Sequence, residues 1–535
     1  EIFIPGLKVG EKYKYCIGTK QGNKLIKSDP FAYKFELRPK TASIVENIDD
    51  YKWSDTDWVA KRKLNLNAPI NIYKIHLASW LYTEKGFYNY KELAPKIYKY
   101  ISKLGFTHIE LLPSTEHPLD ESWGYQVSGY YAVTSRHGSI KDFQWFINYF
   151  HQHNIGVIFD FVPGHFPRDS TFLSKFDGTD LFESAEPHLG YHPKWDTCIF
   201  DYRKPQVVNF LIGSALFFIN QMHFDGIRVD AVSSMLYHNF ERKDHQWKPN
   251  KYGGCENIEG WEFIKKLNKE ISGKDRGVLK IAEEAIDSDK ITCNSGLGFD
   301  LRWNLGWSFD TLKFFSTPFE KRSEALNILI HEMTYFYKNK NILILSHDDV
   351  SPKKKSLFSR MPGSLKERFS NLKLLMSYMY THPGKKLLFM GCDFGQSSEW
   401  DCKNNLPWNE LEQNENKCLN QCIKDLCFLY KNEPALYEWE MEEDGFKWVI
   451  KDRTDPPVLS FLRIGSANAK LICIHNFSLK RLNEYHIPIS CCPVEIFNSD
   501  KLTYGGAGLE NREIEVDGRG FNISIAPLST IVLKI

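Results

Sequence analysis

Through the middle of this chain, short apolar runs alternate with amphipathic stretches or long polar loops. The runs are IYKIHL at 72–77, THIELLP at 107–113, GVIFDFV at 156–162 and GIRVDAV at 226–232. VLKIAEE at 278–284, FDLRWN at 299–304, NILILSHDD at 341–349 and KLLFMGCDFG at 386–395 continue the series. They are short and mostly rich in Ile, Val, Leu and Phe, so they read as strands. Between them, YKELAPKIYKYISKLG, IKDFQWFINYFHQHN and PQVVNFLIGSALFFINQMH carry the apolar stripe of a helix. Eight strands separated in this way give the element count of a (β/α)8 TIM barrel.

Both ends change to period two. EIFIPGL and KYKYCIGTKQGNKLI precede a linker-like DPFAYKFELRPKTAS, and FKWVIKD, PVLSFLRI, KLICIHNFS, CPVEIFN, REIEV and FNISIAPLSTIVLKI close the chain. Alternation between turn residues predicts β-sandwich material at each end. The expected division is an N-terminal β-sandwich remnant with its linker over 1–60, the barrel over 61–432, and a C-terminal all-β sandwich domain over 433–535. Glu1 opens inside a strand-like run, so more of the first module is expected upstream, with any targeting signal out of view. YGGAG at 504–508 lies between strands and reads as a hairpin loop.

The fourth run carries charge where apolar residues are expected. Arg228 and Asp230 are two apart, so they share a strand face, and buried charge is costly unless paired or used. Other strands also end in polar groups: His76, Asp160, Glu283-Glu284, His347-Asp348-Asp349 and Asp393. Any one of these is ordinary turn chemistry. Together they place carboxylates, histidines and an arginine at strand C-termini, the face on which TIM barrels build active sites. Several acids in one cleft suit glycoside chemistry, in which one carboxylate attacks and another donates a proton. An arginine beside the attacking carboxylate is expected to lower its pKa and keep it ionised. A metal centre is the competing reading, but there is no H-E-x-x-H helix, and the histidines lie in separate loops.

Bulk properties narrow the partners. Of 535 residues, 42% are hydrophobic and 25% charged, with formal net charge +1, which lacks the basic excess of a nucleic-acid binder. No apolar run approaches the roughly 18 residues of a membrane span. The 12 cysteines show no C-x-x-C, and Cys418, Cys422 and Cys427 sit at helical spacing. Free thiols in a reducing compartment are expected, with Cys491 and Cys492 inside a strand.

DFVPGHFP (160–167), DGIRVDAVSSMLY (225–237), AEE (282–284) and LSHDD (345–349) resemble the four signature regions of the α-amylase superfamily of glycoside hydrolases. FTHIELLPSTEHPLDESWGYQVSGYYAVTSRHG, WKPNKYGGCENIE, WNLGW, MGCDFGQSSEW and the early SDPFAYKFELRPKTASIV are similar to bacterial 1,4-α-glucan branching enzymes. That resemblance covers nearly the whole chain. It implies Asp230 as nucleophile, Glu283 as general acid/base and Asp348 as transition-state stabiliser. It implies substrate contacts from Tyr125, Asp160, His165, Arg228 and His347. It implies a cytoplasmic, monomeric enzyme of glycogen biosynthesis that takes α-glucan chains as donor and acceptor, with no cofactor, metal, nucleic acid or membrane. Two segments depart from the family pattern: Phe161 stands where a tryptophan is usual, and Asp349, Ser351 and Pro352 alter the loop after the seventh strand. These changes bear on loop shape and chain-length preference. An α-glucan hydrolase with the same acids, or a non-catalytic glycogen-binding protein, is the alternative.

Overall fold

The computed structural model describes residues 4–83, 86–275, 277–286, 288–452 and 455–535. All eight apolar runs are strands: β1 Asn71–Ile75, β2 His108–Leu111, β3 Gly156–Phe161 and β4 Gly226–Val229, then β5 Leu279–Glu284, β6 Leu301–Asn304, β7 Asn341–Leu345 and β8 Lys385–Phe389. They pair in parallel and in chain order, and β8 returns to β1 to close the barrel. Alternation sorts their side chains. Ile72, Ile158, Ile281, Trp303 and Ile344 fill the interior, whereas Tyr73, Ile75, Phe159 and Val229 pack outward among the helices.

The helices start where their sequences supply caps. Tyr90–Leu104 (α1) opens on a reciprocal Asn89–Glu92 capping box and ends at Gly105 in the left-handed region, φ 89°. Ile140–Gln152 (α2) opens on Ser139 and Asp142 in the same way. Pro205–Gln221 (α3) has proline at its start, where the missing N–H costs nothing.

At the N-terminal end, Lys12–Tyr13 pairs with Ser43–Ile44, and Tyr15–Gly18 with Lys24–Lys27, as two separate ribbons. Of EIFIPGL, residues 1–3 lie outside the described residues, and Pro5–Gly6 form a turn rather than the expected strand. The ribbons are fastened to barrel loops: Lys27 Nζ donates to the Ser174 carbonyl at 2.7 Å, and Phe35 packs with Ala132 and Phe172.

The last hundred residues form a five-stranded and a three-stranded antiparallel sheet. Ile472, Ile474, Ile531 and Leu533 of the first pack against Ile487, Phe521, Ile523 and Ile525 of the second, which makes a sandwich. Two local expectations fail here. Cys491 and Cys492 sit in a bend between strands, because Pro488 and Pro493 flank them and remove ladder donors. REIEV contributes only Val516 to a strand, Val516–Asp517, since little of the run is buried and alternation alone does not hold it.

Arg463 ties this domain to the barrel through one carbonyl, that of Thr381, and braces the start of the domain through two more. Fully buried, it donates to the carbonyls of Thr381 (2.5 Å), Leu436 (3.1 Å) and Gly445 (3.4 Å). Arg463→Ala strands these acceptors and is expected to lower stability by about 3 kcal/mol, since each buried unpaired group costs about 1–3 kcal/mol. A denaturation midpoint equal to the parent's would contradict that role.

Candidate active site

Arg228 projects from β4 into the barrel mouth and lies between three carboxylates. Its Nη1 is 2.5 Å from Asp160 Oδ1 and 2.7 Å from Asp230 Oδ1, and its Nη2 is 3.1 Å from Glu283 Oε2. The pairing follows from register: Asp160 on β3 lies directly opposite Arg228 on β4. Asp160 is held in turn by Lys74 Nζ at 2.8 Å and by the Tyr125 hydroxyl, which donates at 2.7 Å. Lys74 also binds Glu110 at 2.7 Å, and both are fully buried. Trp303 forms the floor, with Arg228 4.2 Å and Lys74 4.5 Å from its ring centroid.

Lys74, Glu110 and Trp303 are absent from the sequence-derived site. The signal for two of them was present: each interrupts an apolar strand with a charge, as Arg228 does. Their partners lie on other strands and become visible only when the barrel closes.

Backbone conformation aims the acids. Asp230 follows β4, and its amide donates to Phe161 O at 2.9 Å. Ala231 is then turned into the left-handed region, φ 47° and ψ 48°, which L-residues other than Gly, Asn and Asp seldom adopt. That turn points its amide at Glu283 Oε2, 2.6 Å away. Nucleophile and acid/base candidates are thus tied to one arginine and to one short backbone segment. Gly124 (φ 95°) precedes Tyr125, and a Cβ there would meet Pro113 O at 2.3 Å. Only glycine lets the chain pass and turn the tyrosine toward Asp160.

The remaining candidates divide. His347 heads the short helix His347–Val350, lies parallel to the Tyr125 ring (centroids 5.5 Å apart, 10°), and has a buried Nδ1 without a partner. Burial, Lys74 and Arg228 hold it well below the usual histidine range, so it is neutral. Asp348 follows it with 53% of its side chain exposed, 3.7 Å from His347 Nε2. His165 makes no hydrogen bond to the acid cluster. Its Nδ1 is also buried and unpartnered, its ring packs against Trp195 at 5.0 Å, and burial pushes it down to about 4.

Other polar strand ends serve the scaffold. Asp393 turns away from the cleft to accept from Tyr100 and the Gly391 amide, and His76 is held by Ser79 at 2.8 Å. Asp349, one of the family departures, caps its own helix by accepting from the Ser346 amide at 2.7 Å. Glu284 alternates away from Glu283 and accepts from Ser233 and, at 2.8 Å, from the Ile286 amide.

The expected lowering of the Asp230 pKa is overturned. Burial is the largest influence and raises it; Arg228 opposes this, but Glu283 and Asp160 add to the rise, and the net direction is strongly upward. One guanidinium divided among three carboxylates cannot neutralise them all. Asp348 moves the same way, by burial first and Glu283 second; water reaches half of its side chain and moderates the shift. These carboxyls lie close enough that their titration belongs to the group rather than to one residue. Retaining glycoside cleavage requires the attacking carboxyl to be ionised, so the upward direction falls on the candidate that must give up its proton before attack.

Fold and site together define an α-amylase-type catalytic barrel. The family model for the alpha amylase catalytic domain matches residues 54–186 and 191–452, and that for the alpha amylase C-terminal all-beta domain matches 448–535. The chain is 45% identical over its whole length to 1,4-alpha-glucan branching enzyme GlgB of Protochlamydia amoebophila, covering 76% of that protein. It is 44% identical to the GlgB of Nitrosococcus oceani, again over its full length and 74% of the relative. This chain belongs to the GlgB branching-enzyme family within the α-amylases. Solved structures of the same fold include a putative alpha amylase from Salmonella typhimurium (17% identity, 99% and 92% of the two chains, TM-score 0.71). A pullulanase from Paenibacillus barengoltzii aligns over 98% and 85% of the two chains at 15% identity and TM-score 0.73.

Glu284 yields a pH test outside the catalytic set. Burial raises it to about 7, and its Oε2 is buried without a partner. An unfolded glutamate titrates near about 4.3. Its contribution to stability is therefore fully present below that value and lost as pH rises through about 7. Glu284→Gln, which resembles the protonated form, is expected to match the parent at pH 5 and to exceed it by about 1–2 kcal/mol at pH 8. Parallel pH profiles would contradict the shift.

Proposed function

We propose that this protein cleaves an α-1,4-glucan chain through a covalent glycosyl-enzyme and transfers it to a glucan 6-hydroxyl, forming the α-1,6 branches of glycogen. The observation that carries the chemistry is the joint hold of Arg228 on Asp230 and Glu283. Full-length similarity to proteins named 1,4-alpha-glucan branching enzyme supports the choice of acceptor.

In the first step an Asp230 oxygen bonds to the anomeric carbon while the bond from that carbon to the glycosidic oxygen breaks. Glu283 gives its proton to the departing O4. In the second step Glu283, now ionised, takes the proton of the acceptor 6-hydroxyl. The acceptor oxygen bonds to the same carbon, and Asp230 leaves as carboxylate. Arg228 supports this by bearing the charge that passes between the two acids. Asp348 is assigned to the sugar hydroxyls of the strained transition state, and its exposure at the cleft leaves it free to reach them. Neutral His347 and His165 can each donate and accept, which suits sugar hydroxyls. Tyr125 offers a ring face to the same sugar while its hydroxyl supports Asp160.

We divide the chain into an N-terminal module through residue 60, a barrel over 61–432 and a C-terminal domain over 433–535; the final barrel helix, Asn414–Asn432, supports the second boundary. We assign the protein to the cytoplasm as a monomer. All twelve cysteines are free, which fits a reducing compartment. No described helix is long and apolar enough to cross a membrane.

Amylose treated with the enzyme is expected to lose iodine colour while reducing ends stay nearly constant, and debranching of the product should release short linear chains. Reducing ends that rise in step with bonds broken would make the protein a hydrolase. Asp230→Asn is expected to lower turnover by about three or more orders of magnitude with the fold intact. Retention of a tenth of the parent activity would remove Asp230 from the nucleophile role.

A further inference from the structure

Asp230 must be ionised to attack, and it shares its cation with a neighbour. Arg228 Nη1 lies 2.7 Å from Asp230 Oδ1 and 2.5 Å from Asp160 Oδ1, so the two acids compete for one nitrogen. How firmly that nitrogen holds Asp230 depends on what else satisfies Asp160. Its other oxygen, Oδ2, accepts from Lys74 Nζ at 2.8 Å and from the Tyr125 hydroxyl at 2.7 Å. Lys74 in turn has a second partner, Glu110 Oε1 at 2.7 Å.

Lys74 and Glu110 are fully buried, so neither reaches a sugar, and any effect they have on the reaction passes through Asp160 and Arg228. Register sets them side by side on β1 and β2. The Trp303 ring lies 4.5 Å from Lys74 Nζ and 4.2 Å from the Arg228 guanidinium, which keeps the two cations close. Burial raises the Glu110 carboxyl and Lys74 opposes the rise. Burial also acts upward on Asp160, but there Arg228 and Lys74 together outweigh it. One ammonium is thus divided between two carboxylates, and only one of them touches Arg228 Nη1.

The other titratable groups around this floor are accounted for. Glu283 on β5 takes the second nitrogen of Arg228. After β7, His347 is neutral and Asp348 is half exposed. Glu284 and Asp349 accept from amides of their own segments. On β6, Arg302 turns to Asn341. On β8, Lys385 and Lys386 face Glu440, and Asp393 beyond it accepts from Tyr100.

We propose that Lys74 is a positioning residue for the nucleophile: by satisfying Asp160 from below it releases Arg228 to hold Asp230, and Glu110 limits this by drawing part of the Lys74 charge away. The pair sets the pH at which Asp230 becomes an attacking carboxylate. The proposal rests on the assignment of Asp230 as nucleophile.

Two substitutions should displace the pH–rate curve in opposite directions. Glu110→Gln keeps an acceptor for Lys74 at Oε1 and puts its amide nitrogen where Oε2 has no partner, so it removes charge without breaking a hydrogen bond. Lys74 then serves Asp160 alone, and the acid limb of kcat/KM is expected to move down by about one pH unit. Lys74→Met keeps the apolar stem and removes the ammonium. Buried Glu110 then takes up a proton, Asp160 draws harder on Arg228, and the limb is expected to move up by about one unit. Below the limb, one unit is about tenfold in rate.

Rates on amylose count new α-1,6 bonds and new reducing ends together, so the curve reports bonds broken whichever acceptor follows. Coincident acid limbs in the parent and folded Glu110→Gln overturn the proposal, and this arm decides the matter if Lys74→Met does not fold. Displacement of both variants in one direction, or a lowered plateau with the limb in place, marks structural damage and also overturns it. A parent that makes reducing ends and no branches fails the transferase reading while the opposed shifts still stand. An Asp230→Asn enzyme that keeps its activity fails the nucleophile assignment and this proposal with it.

Discussion

The catalytic end of this barrel is organised around a single buried cation. Arg228 meets Asp160, Asp230 and Glu283 from a side chain only 1% exposed. Lys74 is the second buried cation, between Asp160 and Glu110. Four carboxyls thus face two cations in a mouth that gives them little water. Full ionisation would leave net negative charge at high cost, and a retained proton relieves it. Where such a proton resides is set by charge balance across the whole group rather than by any one residue.

That arrangement depends on the barrel at three levels. Strand alternation sends Lys74, Arg228 and Trp303 inward while their neighbours pack outward. Parallel register puts Asp160 beside Arg228 and Lys74 opposite Glu110. Backbone at the strand ends then makes the final adjustment, through the left-handed Ala231 and through Gly124, where a side chain would strike Pro113. The strain at Ala231 persists because the Phe161 carbonyl and Glu283 carboxylate hold the two amides around it.

Hydrolysis and transfer share every group in this cluster, so the cluster cannot by itself favour one outcome. What separates them is the geometry of the surface from which the second nucleophile arrives. The C-terminal sandwich, tied to the barrel by Arg463, contributes no residue to the catalytic cluster.

Sequence alone determined the eight strands, the amphipathic helices between them, and the polar residues at the strand ends, because these follow from local periodicity and from covalent alternation. It also marked Arg228 and Asp230 as a functional pair, since two charges on one face of a buried strand need a reason. It could not pair Lys74 with Glu110 or lay Trp303 beneath Arg228, since those contacts join residues far apart in the chain. It misjudged Asp230, where an adjacent arginine promised a lowered pKa. Only the closed barrel reveals that the same arginine serves three acids and that burial outweighs it. It counted Asp393 among the cleft acids, and the strand-end turn sent that side chain to Tyr100 instead. Local pattern fixes which residues are on a strand; how charge is shared, and which way a strand-end side chain turns, are set by neighbours that only tertiary packing supplies.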